Sequence, residues 1–233
     1  MKIFLRNKQM KEEPKVTIII PTCSSERIPM LIKTVESIQA GTYKNVHPVI
    51  VADGNPRIER EAKEKLHNVS VISNKKRMDW VFSVNRVLKE WDSDYYIYAS
   101  DDLIFPPDCI KYAMARMQKC FPDGFGVVSI GKKHRSAFGL FGRKLANHFP
   151  DHQVFCPDFI HYAGDSELHR TVTKLRKFTF ILERESSVRH SRMKDETWRL
   201  ARKVRDRDHA IRREREEKGY MWGVDFNLIV GKR

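Results

Sequence analysis

The first half of this sequence alternates short β-branched apolar runs with amphipathic segments, and this alternation strongly restricts the possible folds. Four runs have the pattern of buried parallel strands: Val16–Ile20, Val49–Ala52, Val69–Ser73 and Tyr95–Ala99. The segments between them have apolar residues at helical spacing: Ile28–Gln39, Ile58–Leu66 and Trp80–Trp91. Because strand and helix follow each other through short connections, the sequence predicts a doubly wound α/β domain with a mostly parallel sheet.

The second half is less regular. Its predicted elements are the helices Pro106–Met117, Glu167–Leu175 and Asp195–Lys218 and the strands Val127–Ile130 and Phe178–Leu182. Asp195 is a plausible N-cap of the long last helix, and Gly219 a plausible stop. Gly139 and Gly142 lie in a stretch without acidic residues, Gly131–Pro150, and predict a mobile loop there.

The composition is strongly basic. The 233 residues include 44 Lys and Arg against 30 Asp and Glu, which gives a formal net charge of +14. Such a surface attracts nucleic acid, phosphorylated substrates or anionic membranes, and the composition alone does not choose among them. No apolar run approaches the ~20 residues of a membrane helix, and the four cysteines are scattered, so we expect a cytoplasmic protein without an integral membrane segment.

Acidic residues follow two of the predicted strands. Asp53 comes after the second strand, and Asp101 and Asp102 come after the fourth. Ligands of such sheets bind beyond the carboxyl ends of the strands, so these carboxylates should converge on one crevice. Two adjacent carboxylates could hold Mg²⁺ or Mn²⁺ against a diphosphate, or could simply form a solvated turn.

Four short motifs, in order and spacing, resemble the GT-A glycosyltransferases of the family-2 type. The matching pieces are Val16–Thr22 with the helix Leu31–Gln39, Val49–Asn55, Ser83–Val87 and Asp101–Pro106. The resemblance covers roughly residues 15–115. It implies a GT-A fold with a C-terminal helical extension, and transfer of a sugar from a nucleoside diphosphate donor, with UDP as the expected nucleotide and Mn²⁺ or Mg²⁺ as the cofactor.

The resemblance also implies roles for individual residues of the donor side. Pro21 and Thr22 would line the nucleotide pocket, and Asp53 would contact the base. Asp101 and Asp102 resemble the acids that bind the nucleotide sugar and the metal.

The sequence departs from the family pattern at two places. Ala99 stands where the first acid of the common Asp-x-Asp motif is found, which leaves the metal ligands open. Lys75, Lys76 and Arg77 stand near a position that is often Gly, and they could hold a diphosphate or form a solvated loop. We take Arg77 as the candidate donor-binding residue.

Two candidate residues lie in the second half. The segment around Asp165 resembles the site from which an acid deprotonates the acceptor hydroxyl for an inverting displacement, so Asp165 is the candidate catalytic base. The alternative is an ordinary helix N-cap, with Glu167 favouring the first turn. His190 follows a strand where the family often places a His that completes the metal site or contacts the diphosphate, and the alternative is an exposed His without a role.

The acceptor is the most open part of the interpretation. Lys132, Lys133 and Arg135 are the candidate acceptor-binding residues, because basic residues neutralise phosphate. The acceptor could be a hydroxylated base in DNA or a cell-envelope saccharide. We expect a single domain over 1–233, with a donor-binding half (14–115), an acceptor and catalytic half (116–192) and the helical extension (193–233).

Two other function classes remain as alternatives. One is a nucleic-acid-binding module that uses this fold without catalysis. The other is a nucleotidyltransferase, which usually carries a Gly-rich loop after the first strand. The segment from Thr22 to Arg27 contains no Gly, which argues against that second class.

Overall fold

The computed structural model describes residues 13–131, 136–191 and 193–225. Its strands are β1 (Val16–Thr22), β2 (Val46–Asp53), β3 (Ser70–Asn74), β4 (Tyr95–Tyr98), β5 (Leu103–Ile104), β6 (Val127–Ser129), β7 (Gly139–Gly142), β8 (Phe178–Phe180), β9 (Arg189–His190), β10 (Tyr220–Met221) and β11 (Val224–Asp225). Its α-helices are α1 (Ile28–Gln39), α2 (Pro56–Lys65), α3 (Asp79–Glu90), α4 (Cys109–Cys120), α5 (Arg143–Ala146), α6 (Gly164–Lys174) and α7 (Glu196–Glu217).

The main sheet has the strand order β3-β2-β1-β4-β7-β6-β8 within the described residues. The first four strands of this order pair in parallel, and β6 and β8 are also parallel to each other. Only β7 runs antiparallel to both of its neighbours. The mostly parallel α/β sheet predicted from the sequence is therefore confirmed.

The central strand β1 is buried on both faces, as its continuous apolar run requires. Ile18 and Ile20 belong to the core on one side of the sheet, together with Leu31 of α1. Ile19 points to the core on the other side, which includes Val84 of α3. Because β1, β2 and β4 are parallel, their carboxyl ends lie at one edge of the sheet, and the residues that follow them meet there.

Helix boundaries show where local signals decide the structure. The first helix has the predicted limits, Ile28–Gln39. By contrast, α4 begins three residues after the predicted Pro106, because Pro106 and Pro107 form the turn before the helix, in which the Pro107 carbonyl accepts a hydrogen bond from the Thr42 N–H. The sixth helix begins at Gly164, three residues before the predicted start.

The predicted mobile loop around Gly139 and Gly142 is wrong, because these glycines are the ends of the buried strand β7. A Cβ at position 139 would lie 2.8 Å from the Tyr98 hydroxyl, and one at position 142 would lie 2.6 Å from the carbonyl oxygen of Gly124. The glycines thus permit close packing inside the sheet, and they do not provide flexibility.

Candidate active site

A cavity of about 470 Å³ opens at the carboxyl edge of β1, β2 and β4. Eight of the residues that the sequence singled out line this one cavity: Pro21, Thr22, Asp53, Arg77, Asp101, Asp102, Asp165 and His190. The predicted acceptor residues Lys132, Lys133 and Arg135 lie outside the described residues. Of the three cations near β3, only Arg77 lines the cavity, since Lys75 and Lys76 are exposed elsewhere on that loop.

The two adjacent carboxylates after β4 are buried, so they do not form a solvated turn. Asp101 is 2% exposed and Asp102 is 1% exposed. Burial raises the pKa of Asp101, an effect that the Arg27 guanidinium opposes. Burial also disfavours ionisation of Asp102, but hydrogen bonds from His190 and Ser100 outweigh it and hold the pKa of Asp102 below its ordinary value.

Arg27 is a buried cation at this site that the sequence did not single out. Its Nη1 donates to Asp101 Oδ1 at 2.7 Å and lies 3.7 Å from Asp102 Oδ2. Its Nη2 donates to Asp195 Oδ1 at 3.0 Å, and its Nε donates to the other oxygen of the same carboxylate. Burial disfavours the charge on Arg27, but Asp195 and Asp101 outweigh it and raise the pKa of Arg27. One guanidinium therefore joins the strand end to the start of α7.

His190 reaches the acidic pair through a small second sheet. Strand β9 pairs antiparallel with β5, which places His190 opposite Leu103, the residue after Asp102. The Nε2 of His190 lies 3.1 Å from Asp102 Oδ1, and its ring contacts Phe138 edge-on. His190 therefore lies beside the acidic pair, and its role in metal binding stays a prediction.

The chemistry of this pair suits a hard divalent cation. Asp102 Oδ1 and His190 Nε2 lie 3.1 Å apart, the distance of the hydrogen bond that joins them. The described residues contain no group of three His, Cys, Asp or Glu side chains around a common position. A carboxylate and an imidazole are both possible ligands of Mg²⁺ or Mn²⁺, which commonly complete their shells with substrate phosphate oxygens and water.

Asp53 holds the loop that leads into α3. Its carboxylate accepts hydrogen bonds from Asn74 Nδ2 at 2.7 Å and from the backbone N–H groups of Met78 and Asp79 at 2.8 Å each. Burial raises the pKa of Asp53, and these three hydrogen bonds oppose the rise. Since a carboxylate has about four acceptor positions, Asp53 retains capacity for one substrate contact.

Gly54 allows the same loop to pass close to β2. Its φ is +70°, and a Cβ there would lie 2.3 Å from the backbone nitrogen of Arg77. The loop brings Arg77 to the cavity, where its guanidinium donates to Asp79 Oδ1 at 2.7 and 3.0 Å. Replacement of this glycine would displace Arg77, because the atom in the way belongs to the backbone.

Asp165 lies in the first turn of α6, and Ala163, with a φ of +68°, is the N-cap of that helix. The N-cap alternative for Asp165 is therefore wrong. The Oδ1 atom of Asp165 accepts from the N–H of Ser166 at 2.7 Å, and the carbonyl of Asp165 accepts from the Ser136 hydroxyl at 3.1 Å. Glu167 is buried and pairs with Arg215 of α7 at 3.0 Å.

The geometry can now be compared with known proteins. The sequence profile of the family described as "Glycosyl transferase family 2" matches residues 17–156. The chain belongs to glycosyl transferase family 2. No curated protein matches the sequence significantly. The matched range contains Asp53, Asp101 and Asp102, whereas Asp165 and His190 lie beyond it.

Solved structures confirm the GT-A fold expected of this family. The mannosyltransferase PcManGT from Pyrobaculum calidifontis, in complex with GDP-Man and Mn²⁺, superposes with a TM-score of 0.66 at 18% identity, over 87% of this chain and 65% of that chain. S. aureus TarS gives a TM-score of 0.57 at 14% identity, over 72% of this chain and 35% of that chain. The TarS 1–349 structure in complex with UDP gives 0.54 at 14% identity, over 72% of this chain and 58% of that chain. The family-2 chain described here thus spans less than two thirds of each of these proteins.

Helix α7 forms a wall of the site in this family-2 chain, although its sequence suggested only an extension. Its predicted N-cap is confirmed, since the Asp195 carboxylate accepts from the Trp198 N–H at 3.0 Å. Trp198, Ala201 and the preceding Lys194 line the cavity. The helix is 22 residues long, and no helix among the described residues is long and apolar enough to cross a membrane.

Asp208, near the middle of α7, is fully buried and holds the loop that precedes the candidate base. Its carboxylate accepts hydrogen bonds from the N–H groups of Ile160, His161 and Tyr162 at 2.8–3.2 Å. The backbone N–H groups that donate to Asp208 lie 46–48 residues away in the sequence, so no local pattern identifies the role of Asp208. The sequence shows its role only in that an acidic residue stands on the buried face of a predicted helix, where an unpaired charge would be unstable.

Proposed function

We propose that this chain is a glycosyltransferase that moves a sugar from a nucleoside diphosphate sugar to an acceptor hydroxyl. One observation carries the proposal: a family-2 chain has Asp102 beside His190 in a cavity that Asp165 also lines. The nucleotide is proposed to be UDP. Structural neighbours in complex with UDP or GDP-Man support a nucleoside diphosphate, and the test below separates the two bases.

Mn²⁺ or Mg²⁺ is the proposed cofactor, with Asp102 and His190 as its protein ligands. The complex of the mannosyltransferase with Mn²⁺ supports this proposal. A bound ion would stabilise the negative charge that develops on the departing diphosphate. Arg27 keeps Asp101 in place beside the ligand carboxylate, and Asp101 would contact the donor.

The donor lies in the part of the cavity formed by Pro21, Thr22, Asp53 and Arg77. Asp53 contacts the base through its remaining acceptor capacity, and the Arg77 guanidinium attracts the diphosphate. Because both side chains are already held by hydrogen bonds to the loop before α3, they lose little conformational freedom when the donor binds.

Asp165 acts as the base. Its carboxylate accepts the proton of the acceptor hydroxyl as the acceptor oxygen forms a bond to the anomeric carbon of the donor sugar. The bond between that carbon and the diphosphate oxygen breaks on the opposite side, and the nucleoside diphosphate leaves with the electron pair. This in-line displacement inverts the anomeric configuration. The position of Asp165 in the first turn of α6 supports an ionised carboxylate, because the helix dipole favours negative charge there.

The acceptor is proposed to be either a hydroxylated base in DNA or a cell-envelope saccharide, and the net charge of +14 favours an acceptor that carries negative charge. A base within a duplex would have to leave the stack to reach the cavity. The decisive experiment incubates the protein and Mn²⁺ with UDP and GDP sugars and with plain DNA, hydroxymethylated DNA or an oligosaccharide, and records the mass of each acceptor. The expected result is a gain of one hexose on hydroxymethylated DNA with a UDP sugar. A gain only on the oligosaccharide would move the acceptor to the saccharide class. If no donor gave either a mass gain or release of the nucleotide, the proposed activity would be contradicted.

A further inference from the structure

The charges on α7 are distributed unevenly between its two ends. In the second half of the helix most cations have carboxylate partners, as in the pairs Arg212–Glu216 and Arg215–Glu167, and Arg213 has none among the described residues. In the first half, Arg199, Arg202 and Lys203 pair with no carboxylate of the described residues, and neither does Lys194 just before the helix. The cavity-lining residues of this helix, Thr197, Trp198 and Ala201, all belong to the first half.

Helical geometry separates these cations into two faces. With 100° per residue, Arg202 and Arg205 lie on the side of the helix that carries Trp198 and Ala201, whereas Arg199 and Lys203 lie on the opposite side. The contacts agree, because the Arg202 guanidinium lies 4.7 Å from the centre of the Trp198 ring. We call Lys194, Arg202 and Arg205 the cationic rim.

The cationic rim borders the cavity, since Lys194 lines it together with Tyr162 and Trp198, and the Arg202 guanidinium lies over the Trp198 ring. Burial raises the pKa of Tyr162, and the positive charges of Arg202 and Arg205 oppose the rise. The one ion pair of Arg205 within the described residues is with Asp206, a neighbour whose side chain is 86% exposed. Tyr162 is three residues from the candidate base Asp165, and both line this cavity, so the rim borders the cavity that contains the candidate base.

We propose that the cationic rim binds a phosphate group of the acceptor, so that the enzyme acts on phosphate-bearing acceptors. The proposal rests on the proposed function and adds the acceptor class to it. Of the rim cations, Lys194 and Arg202 have no carboxylate partner among the described residues, and Arg205 has only the exposed Asp206; the repulsion among the three is relieved when an anionic group lies between them. The Trp198 ring keeps Arg202 in place for this contact.

The test compares two double variants of the same helix. Arg202→Gln/Arg205→Gln removes two rim charges, and Arg199→Gln/Lys203→Gln removes the same charge from the opposite face. The probe is a fluorescent 12-nucleotide single-stranded DNA, and its Kd is measured over a range of salt concentrations with the protein saturated with UDP and Mn²⁺. The rim variant should bind the probe about tenfold more weakly, and the magnitude of the slope of the log association constant against log salt concentration should fall by about 1.4. The Kd of the control variant should change by less than about threefold.

Competitors test whether the rim recognises phosphate. Poly(glycerol phosphate) should displace the probe and neutral dextran oligosaccharide should not. Equal losses in both double variants, an unchanged rim variant, or displacement of the probe by the neutral dextran oligosaccharide would overturn the proposal. A separate readout reports on the donor site, namely the Tm increase caused by UDP sugar and Mn²⁺ in the rim variant. If the wild type lacks this increase, the proposed function fails independently of the result for the rim.

Discussion

The region from β1 to α4 and the region from α6 to α7 build opposite sides of the same cavity in different ways. In the first, site residues follow parallel strands, and the topology alone brings Asp53, Asp101 and Asp102 together. In the second, carboxylates of low exposure contact residues that are far away in the sequence. Asp195, the N-cap of α7, contacts Arg27, and Asp208 within α7 accepts a hydrogen bond from His161. The family profile covers the first region and ends at residue 156.

The largest expected effect is the loss of sugar transfer, with donor binding retained, when the candidate base is replaced. Asp165→Asn keeps the size and the hydrogen bond to Ser166 but removes the base, so sugar transfer should fall by about 10³-fold. Donor binding, measured as the Tm increase with UDP sugar and Mn²⁺, should remain. Near-normal turnover would mean that the base lies elsewhere, and lost donor binding would mean that the two sides are not separable.

The connection between the two sides should be strongest at Arg27. Arg27→Met leaves Asp101 and Asp195 buried without their cation, so it should lower the free energy of unfolding by about 3–5 kcal/mol. Asp195→Asn should lower the free energy of unfolding less, because Asn preserves the N-cap of α7 and Arg27 retains its ion pair with Asp101.

Denaturant unfolding gives these free energies, and hydrogen exchange localises the change. Faster exchange should appear in α7 and not in β1 and β4. Equal stability of Arg27→Met and the wild type would show that the two sides are held together by other contacts.

Asp208 tests whether α7 positions the base. Asp208→Asn weakens the hydrogen bonds to the loop 160–162 and should reduce kcat by about 10²-fold, since small displacements near a reacting group have effects of this size. The donor KM should not change. Asp206→Asn is the matched control, because Asp206 is exposed on the same helix. A rise in donor KM with unchanged kcat would contradict a positioning role.

These comparisons explain which parts of the structure were predictable. The limits of α1 follow from its own apolar spacing, and the carboxylates after β2 and β4 follow from topology. The role of Arg27 depends on Asp195, which is 168 residues away, and no local pattern reveals such a partner. The glycines of β7 were misinterpreted because the same residue type provides flexibility in a loop and close packing in a sheet, and only Tyr98 and Gly124 distinguish the two.

The smallest expected effect is a pH dependence of stability at the junction of the two sides. Burial lowers the pKa of His161 from its ordinary value of 6.5, a shift that Arg77 and Arg27 reinforce and that Asp79 and Asp208 oppose. Below pH 6.5 the unfolded chain binds a proton that the folded chain excludes, so stability should fall as the pH decreases from 7 to 5. The Tm of the wild type should fall by about 2 °C more than that of His161→Gln over this range. Parallel curves would contradict the assignment of a neutral, half-buried His161.

The central claim is that Asp102 and His190 bind a divalent ion that acts together with the donor. The most direct measurement is the Tm of the wild type and of Asp102→Asn with UDP sugar, with Mn²⁺ and with both. The wild type should show an increase with both ligands that exceeds the sum of the separate increases, and Asp102→Asn should lose this excess. Equal increases with and without Mn²⁺, or an excess that survives in Asp102→Asn, would contradict the account.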